Sequence, residues 1–199
     1  YRLVTEACSI VDAPQSFVQS VIKNLTDLYK MGEGPDFWGG YGASADDLGA
    51  FLTALAPYAD DYKAYIDDAV KLLEKNVTDA GYTSWGSANA DSTAMALMAY
   101  SALDDQEKAD KAYDLLCKFE SKTTGVFTYD GEENLLATKD ALTALGYYTD
   151  HLIGRIVIDP DDPTEPTTKK NAEKTTANKS TKEITKKSTS KKSPATGNN

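Results

Sequence analysis

The sequence predicts an all-α fold: three α/α hairpins forming a partial α/α toroid, followed by a disordered tail. Three observations lead there. One pattern recurs three times within residues 14–152 at spacings of 47 and 44 residues. Amphipathic stretches alternate with stretches of small residues. Beyond residue 155 the composition changes abruptly to Pro, Thr, Lys and Ser.

The repeat is carried by Gly34-Pro-Asp-Phe-Trp38, Gly81-Tyr-Thr-Ser-Trp85 and Gly125-Val-Phe-Thr-Tyr129, all of the form Gly-x-x-x-aromatic. A polar stretch follows each, and then a helix rich in Ala, Gly and Thr. These helices are expected over residues 45–55, 90–100 and 137–145. Self-similarity at this period is the mark of a repeat architecture, in which each unit buries its apolar face only by stacking on its neighbours.

The elements can be justified in order. Residues 1–13 stand outside the repeat. Tyr1-Arg2-Leu3-Val4-Thr5 alternates like a strand, so this N-terminal extension reads as the end of an upstream domain or as a partner for residues 156–158. Pro14-Gln15-Ser16 opens the first amphipathic helix, Phe17, Val21, Leu25 and Leu28 step along one face, and Gly32 follows its end. Tyr62, Tyr65, Ile66, Ala69, Val70 and Leu73 mark the second amphipathic helix. Ala109, Ala112, Tyr113, Leu116 and Cys117 mark the third. Pro57 with Asp60-Asp61, and Asp104-Asp105, are expected at tight helix–helix corners. No strand is expected inside the repeat domain, residues 14–155. Small side chains let backbones approach, so the Ala-rich helices are assigned to an inner layer and the Tyr- and charge-bearing helices to an outer one.

With its Gly-x-x-x-aromatic and Asp-x-Thr-Ala motifs, the array resembles the terpenoid cyclase/protein prenyltransferase superfamily over about residues 15–150, best from Gly81 to Leu103. The resemblance implies a toroid of which three hairpins form an incomplete ring. It also implies sites to check. The class II cyclase acid motif Asp-x-Asp-Asp has its nearest match in Ser44-Ala45-Asp46-Asp47, where Ser replaces the first Asp. The Asp, Cys and His that hold zinc in the prenyltransferases have no counterpart, nor does the Cys-Gly-Glu-Gln run of the thioester toroids. Carbohydrate-active toroids use paired carboxylates, for which Asp46, Asp47, Asp91 and Asp130 are candidates. Asp46 and Asp91 fall where inner helices start, so capping of backbone N–H groups is the favoured role for them.

The net charge of -10 hides a division. Residues 1–166 carry 12 basic and 29 acidic side chains, whereas residues 167–199 carry nine Lys and two Glu. An acidic body repels phosphate backbones, which argues against nucleic-acid binding. No run of apolar residues is long enough to span a bilayer, and residues 1–4 have no signal-peptide character. The two cysteines, Cys8 and Cys117, suit small buried residues better than a disulfide framework or metal site. His151 is expected at the surface.

Residues 156–166 form a Pro-rich linker, and residues 167–199 lack the apolar side chains needed to offset ordering entropy. The tail ends in Ser193-Pro194-Ala195-Thr196-Gly197. This resembles the cell-wall sorting signal of Gram-positive bacteria, usually Leu-Pro-x-Thr-Gly, which sortases cleave after Thr and join to peptidoglycan. That resemblance implies an extracellular, cell-wall-anchored protein with a wall-spanning tail, cut just before its membrane anchor.

The loops between outer and inner helices should line one edge of the array. That edge gathers Trp38, Tyr41, Tyr82, Trp85 and Tyr129 with Asp36, Asp46, Asp47, Asp91 and Asp130. Aromatic faces beside carboxylates suit a sugar, a cationic group or a basic peptide. The expected function is a non-catalytic ligand- or partner-binding module of the adhesion type, without cofactor or metal. Its partners are sortase and peptidoglycan through the tail, and an extracellular ligand or protein through the edge. Two alternatives remain: corrinoid-type small-molecule capture with a second domain, and a cyclase-like or carbohydrate-active enzyme fragment.

Overall fold

Helix dominates the computed structural model, which describes residues 2–28, 43–157 and 167–168. The first element corrects the reading of the N-terminus. Arg2–Ile10 is a helix, α1, and not a strand. A lone strand leaves its N–H and C=O groups unpaired, whereas a helix satisfies them internally. Thr5 and Cys8, three residues apart, form its buried face. Asp12 closes α1 in the left-handed region (φ +50°), and Ala13 N–H bonds back to Cys8 O in a Schellman arrangement.

Helix α2, Gln15–Leu28, follows Pro14 as expected. Its buried stripe is Val18, Ile22 and Leu25, while Phe17 is exposed, so the apolar face is rotated from the one the sequence suggests. Helix α3, Ala45–Leu55, runs into a 3-10 turn, Ala56–Tyr58, that contains Pro57. Helix α4, Lys63–Lys75, buries Ile66, Ala69, Leu72 and Leu73. Helix α5, Ala90–Ala102, is buried nearly all round, as befits a central core helix. It packs most extensively on α3 and on α7, Leu135–Arg155. Helix α6, Gln106–Leu116, packs on α5 as α4 packs on α3.

The small-residue helices therefore lie side by side, and their closeness is measurable. A Cβ added to Gly49 of α3 would lie 2.6 Å from the Met95 carbonyl oxygen of α5. Real Cβ atoms essentially never come that near, so any larger residue at position 49 forces the two backbones to shift. The corner after α5 also matches expectation. Asp104 takes φ +60°, Asp105 N–H bonds to Tyr100 O, and the Asp105 carboxylate then caps α6 at Lys108 N–H.

Strands do occur inside the repeat domain. β1 (Val77–Thr78), β2 (Gly81–Ser84) and β3 (Ser87–Ala88) form an antiparallel meander. β4 (Thr128–Tyr129) pairs with β5 (Glu132–Glu133). A third pair, β6 (Ile156–Val157) with β7 (Thr167–Thr168), replaces the expected pairing of residues 156–158 with the N-terminus.

Three side chains sit differently from expectation. The His151 imidazole is 3% exposed and places Nδ1 3.1 Å from Asp104 Oδ1 at the α5–α6 corner, so it is not a surface residue. Cys117 is exposed, whereas Cys8 is buried, and both are free thiols. Tyr82 is core, its ring 6.2 Å from that of Tyr100.

Candidate functional site

The site is built from the two hairpins that lead into α5 and α7. In β2–β3 the pairs Thr83↔Ala88 and Ser84↔Ser87 leave Trp85-Gly86 as a two-residue turn. In β4–β5 the pairs Thr128↔Glu133 and Tyr129↔Glu132 leave Asp130-Gly131. All four turn residues have positive φ: 58° and 90° in the first hairpin, 52° and 83° in the second. This is the type I′ geometry that matches the twist of paired strands.

The hydrogen bonds behind each hairpin are equivalent as well. Thr93 Oγ1 accepts from Tyr82 N–H at 3.0 Å and donates to Asn89 O at 2.8 Å. Thr138 Oγ1 accepts from Phe127 N–H at 2.9 Å and donates to Asn134 O at 2.8 Å. The true structural period between these copies is therefore 45 residues, not 44. Trp85 corresponds to Asp130, and Tyr129 corresponds to Ser84. The shared Gly-x-x-x-aromatic letters are not structurally equivalent between the second and third copies.

The same register corrects the capping assignment. The caps of α3, α5 and α7 are Ser44, Asn89 and Asn134, not Asp46 and Asp91. Ser44 Oγ accepts from Asp47 N–H at 3.1 Å and donates to Asp47 Oδ2 at 2.7 Å. Asn89 Oδ1 accepts from Ser92 N–H at 2.8 Å. Asn134 Oδ1 accepts from Leu136 and Ala137 N–H at 2.9 and 3.1 Å. Ser44, the residue in place of the first Asp of the cyclase acid motif, is thus engaged in closing a helix end.

Asp46 and Asp91 occupy the second helical position instead, and Leu136 holds that place in α7. The third copy supplies its carboxylate one turn later, at Asp140, which sequence reasoning missed. Burial first, then the Asp140 and Asp46 carboxylates, push the Asp91 carboxyl above its ordinary range, and Lys139 offsets part of this. Lys139 Nζ lies 2.6 Å from Asp140 Oδ1. Burial also raises Asp47, against the lowering effect of the Ser44 hydrogen bond, with Asp46 adding to the rise. Oδ1 of Asp46 and of Asp91 is buried without a hydrogen-bond partner among the described residues. The N-terminal ends of α3 and α5, with Asp140 of α7, thus share an acidic patch, and its like charges disfavour anionic ligands.

The expected edge residues separate into groups. Trp85 is 79% exposed and Tyr129 39% exposed, and Asp130 is exposed beside it. Asp46, Asp47 and Asp91 are half-buried. Tyr82 is withdrawn from the edge, at 2% exposure, because period-two alternation along β2 turns it inward. Trp38, Tyr41, Asp36 and the motif at residues 193–197 lie outside the described residues.

Beside Trp85 lies a cavity of about 330 Å³ lined by Ala43, Ser44, Asn76, Thr83, Ser84, Trp85 and Gly86. Its polar groups are fixed by the fold. Asn76 Nδ2 donates to Ala43 O at 2.7 Å and Leu72 O at 3.2 Å, while Thr83 N–H donates to Asn76 O at 2.8 Å. Ser84 Oγ accepts from Asp46 N–H at 3.4 Å, joining the cavity wall to the acidic patch.

Comparison with protein-family models, curated proteins and solved structures returns no match to this chain. Among the described residues, no group of three or more His, Cys, Asp and Glu is arranged to hold a metal ion. No described helix is long and apolar enough to cross a membrane.

Proposed function

We propose that this chain is a non-catalytic binding module, of the adhesion type, carried on a Gram-positive cell surface. One observation carries the reading: the hairpin before α5 presents a 79%-exposed tryptophan over a cavity, where the equivalent turn before α7 has Asp130-Gly131. A side chain that the turn itself does not call for is better explained by what it contacts. Tyr129 and the patch of Asp46, Asp47 and Asp91 extend the same face. The partial α/α toroid is the architecture we assign to the array, supported by the side-by-side packing of α3, α5 and α7.

The cell-wall location rests on Ser193-Pro194-Ala195-Thr196-Gly197 at the end of a Lys/Thr-rich tail. Two experiments test the proposal. Labelled full-length chain is passed over immobilised mucin, fibrous matrix protein and purified peptidoglycan, beside a Trp85→Asn/Tyr129→Ser variant of equal helix content. Retention lost in the variant supports the binding face, and equal retention overturns it. For location, an apolar helix and basic tail are appended to Asn199 in a Gram-positive host with active sortase. Wall-linked protein ending at Thr196 is expected, and its absence after Thr196→Ala confirms the site. Release of the unmutated chain into the medium refutes the sorting assignment.

A further inference from the structure

We infer that the cavity beside Trp85 is a subsite for a neutral pyranose ring, the terminal or internal sugar of a glycan. This rests on the binding reading above and names its ligand class. The first position of a type I′ turn favours Asn, Asp or Gly, and the third copy obeys with Asp130. Trp85 at φ +58° costs on the order of 1 kcal/mol or more in backbone strain, so the fold keeps it against local preference.

The surroundings select the ligand. A wide aromatic face accepts either a cation or the C–H face of a sugar. A cation is held best where a carboxylate lines the wall beside the ring. Among the described residues lining this cavity none is charged, and the side chains are Ser44, Asn76, Thr83, Ser84 and Trp85 with two small neighbours. Neutral hydroxyls and an amide beside an indole match a ring that is apolar on one face and rimmed with hydroxyls. Asn76 spends its Nδ2 hydrogens on Ala43 and Leu72, which leaves Oδ1 to accept from a sugar hydroxyl. Ser84 Oγ accepts from Asp46 N–H and keeps its proton to donate. The wall is pre-organised by the Asn76–Thr83 and Thr93–Tyr82 bonds, so little ordering is required on binding. The volume is at the small end for ligand pockets, enough for one ring and not for a large cofactor. Acidic neighbours disfavour sialic acids and uronates.

The chain has two tryptophans, so ¹H–¹⁵N spectra of the full-length protein give two indole signals, and Trp85→Asn removes and so assigns one. Methyl glycosides of glucose, galactose, mannose and N-acetylglucosamine are titrated in turn. At least one is expected to move the Trp85 indole and the amides of residues 83–87 in a saturable way. Trp85→Asn, whose side chain suits the turn, should lose that response while its far-UV spectrum and remaining amide signals report a folded chain. Asn76→Asp, whose second oxygen would face the Ala43 and Leu72 carbonyls in place of the Nδ2 donor, and Asn76→Leu, which removes Oδ1, should both weaken binding at least several-fold. If no glycoside moves the indole, or if Trp85→Asn responds unchanged, the sugar assignment is overturned. If the peptide Lys-Lys-Ser-Thr-Ser-Lys-Lys saturates the signal and no sugar does, the ligand class is wrong while the binding face stands. Failure of the binding face itself is read separately, from unchanged retention of the double variant on immobilised surfaces.

Discussion

Replacing Gly49 with alanine tests the close packing of α3 against α5. Alanine normally improves a helix interior by about 0.5–1 kcal/mol over glycine. Here the new Cβ would lie 2.6 Å from Met95 O and 2.8 Å from Met95 C and Cβ, whereas ordinary contact begins at 3.4 Å. The shortfall is about 0.8 Å, and most of it is against backbone that cannot rotate away. Overpacking of this kind costs typically about 1–3 kcal/mol. The net expectation is destabilisation by about 1–2 kcal/mol, or a fall in Tm of roughly 2–8 °C for a domain of this size. Gly146 of α7 is the control, because a Cβ there meets nothing within 4 Å. Gly146→Ala should raise Tm by about 1–4 °C through helix propensity alone. Both variants are melted in the full-length chain by far-UV circular dichroism. If Gly49→Ala melts at or above the unmutated protein while Gly146→Ala rises, the two inner helices do not meet backbone to backbone and the packing argument is wrong.

Other consequences are as direct. Asn134→Ala removes the acceptor of the Leu136 and Ala137 N–H groups and should cost about 1 kcal/mol, read as a lower urea midpoint at unchanged slope. Asp91 has a folded-state pKa raised above 3.8, so the folded chain holds its proton more readily than the unfolded one. Its contribution therefore favours folding at low pH and is lost as pH climbs from 3.8 through the raised value. Asp91→Asn should be more stable than the unmutated chain at neutral pH, with the advantage shrinking as the pH falls toward 3.8. Urea titrations across that range check it, and a less stable variant at neutral pH contradicts the assigned burial. Removal of residues 169–199 should leave Tm unchanged, because a sequence with so few apolar side chains has little surface to bury. A lowered Tm would place the tail on the helices.

Much of the array was legible from local signals. Ala- and Thr-rich runs marked α3, α5 and α7, since small residues allow the backbone contact that Gly49 makes with Met95. Asp104-Asp105 marked a helix corner because its two residues can close one helix and cap the next. The face of α2 was misjudged by one position, Val18 and Ile22 being buried in place of Phe17 and Val21. Both stripes have helical spacing, and only the packing partner distinguishes them. The α1 helix was hidden by a short alternation that fits a strand equally well. Asp130-Gly131 is itself a hairpin signal, since both residues tolerate the positive φ of a type I′ turn.

The candidate site divides along the same line. Trp85, Tyr129 and the Asp residues of the inner-helix starts could be named from their letters and spacing. Periodicity and motif spacing are properties of neighbouring residues along the chain, so the sequence by itself determined the helical class, the places of α2 to α7 and the composition break near residue 155. Three facts needed the tertiary structure. Asp140 reaches Asp91 from another helix, Tyr82 faces inward against Tyr100, and the hairpins align Trp85 with Asp130. Each depends on which surfaces meet across the fold. Burial, charge proximity and ladder register are set by contacts between distant segments, and no local pattern encodes those.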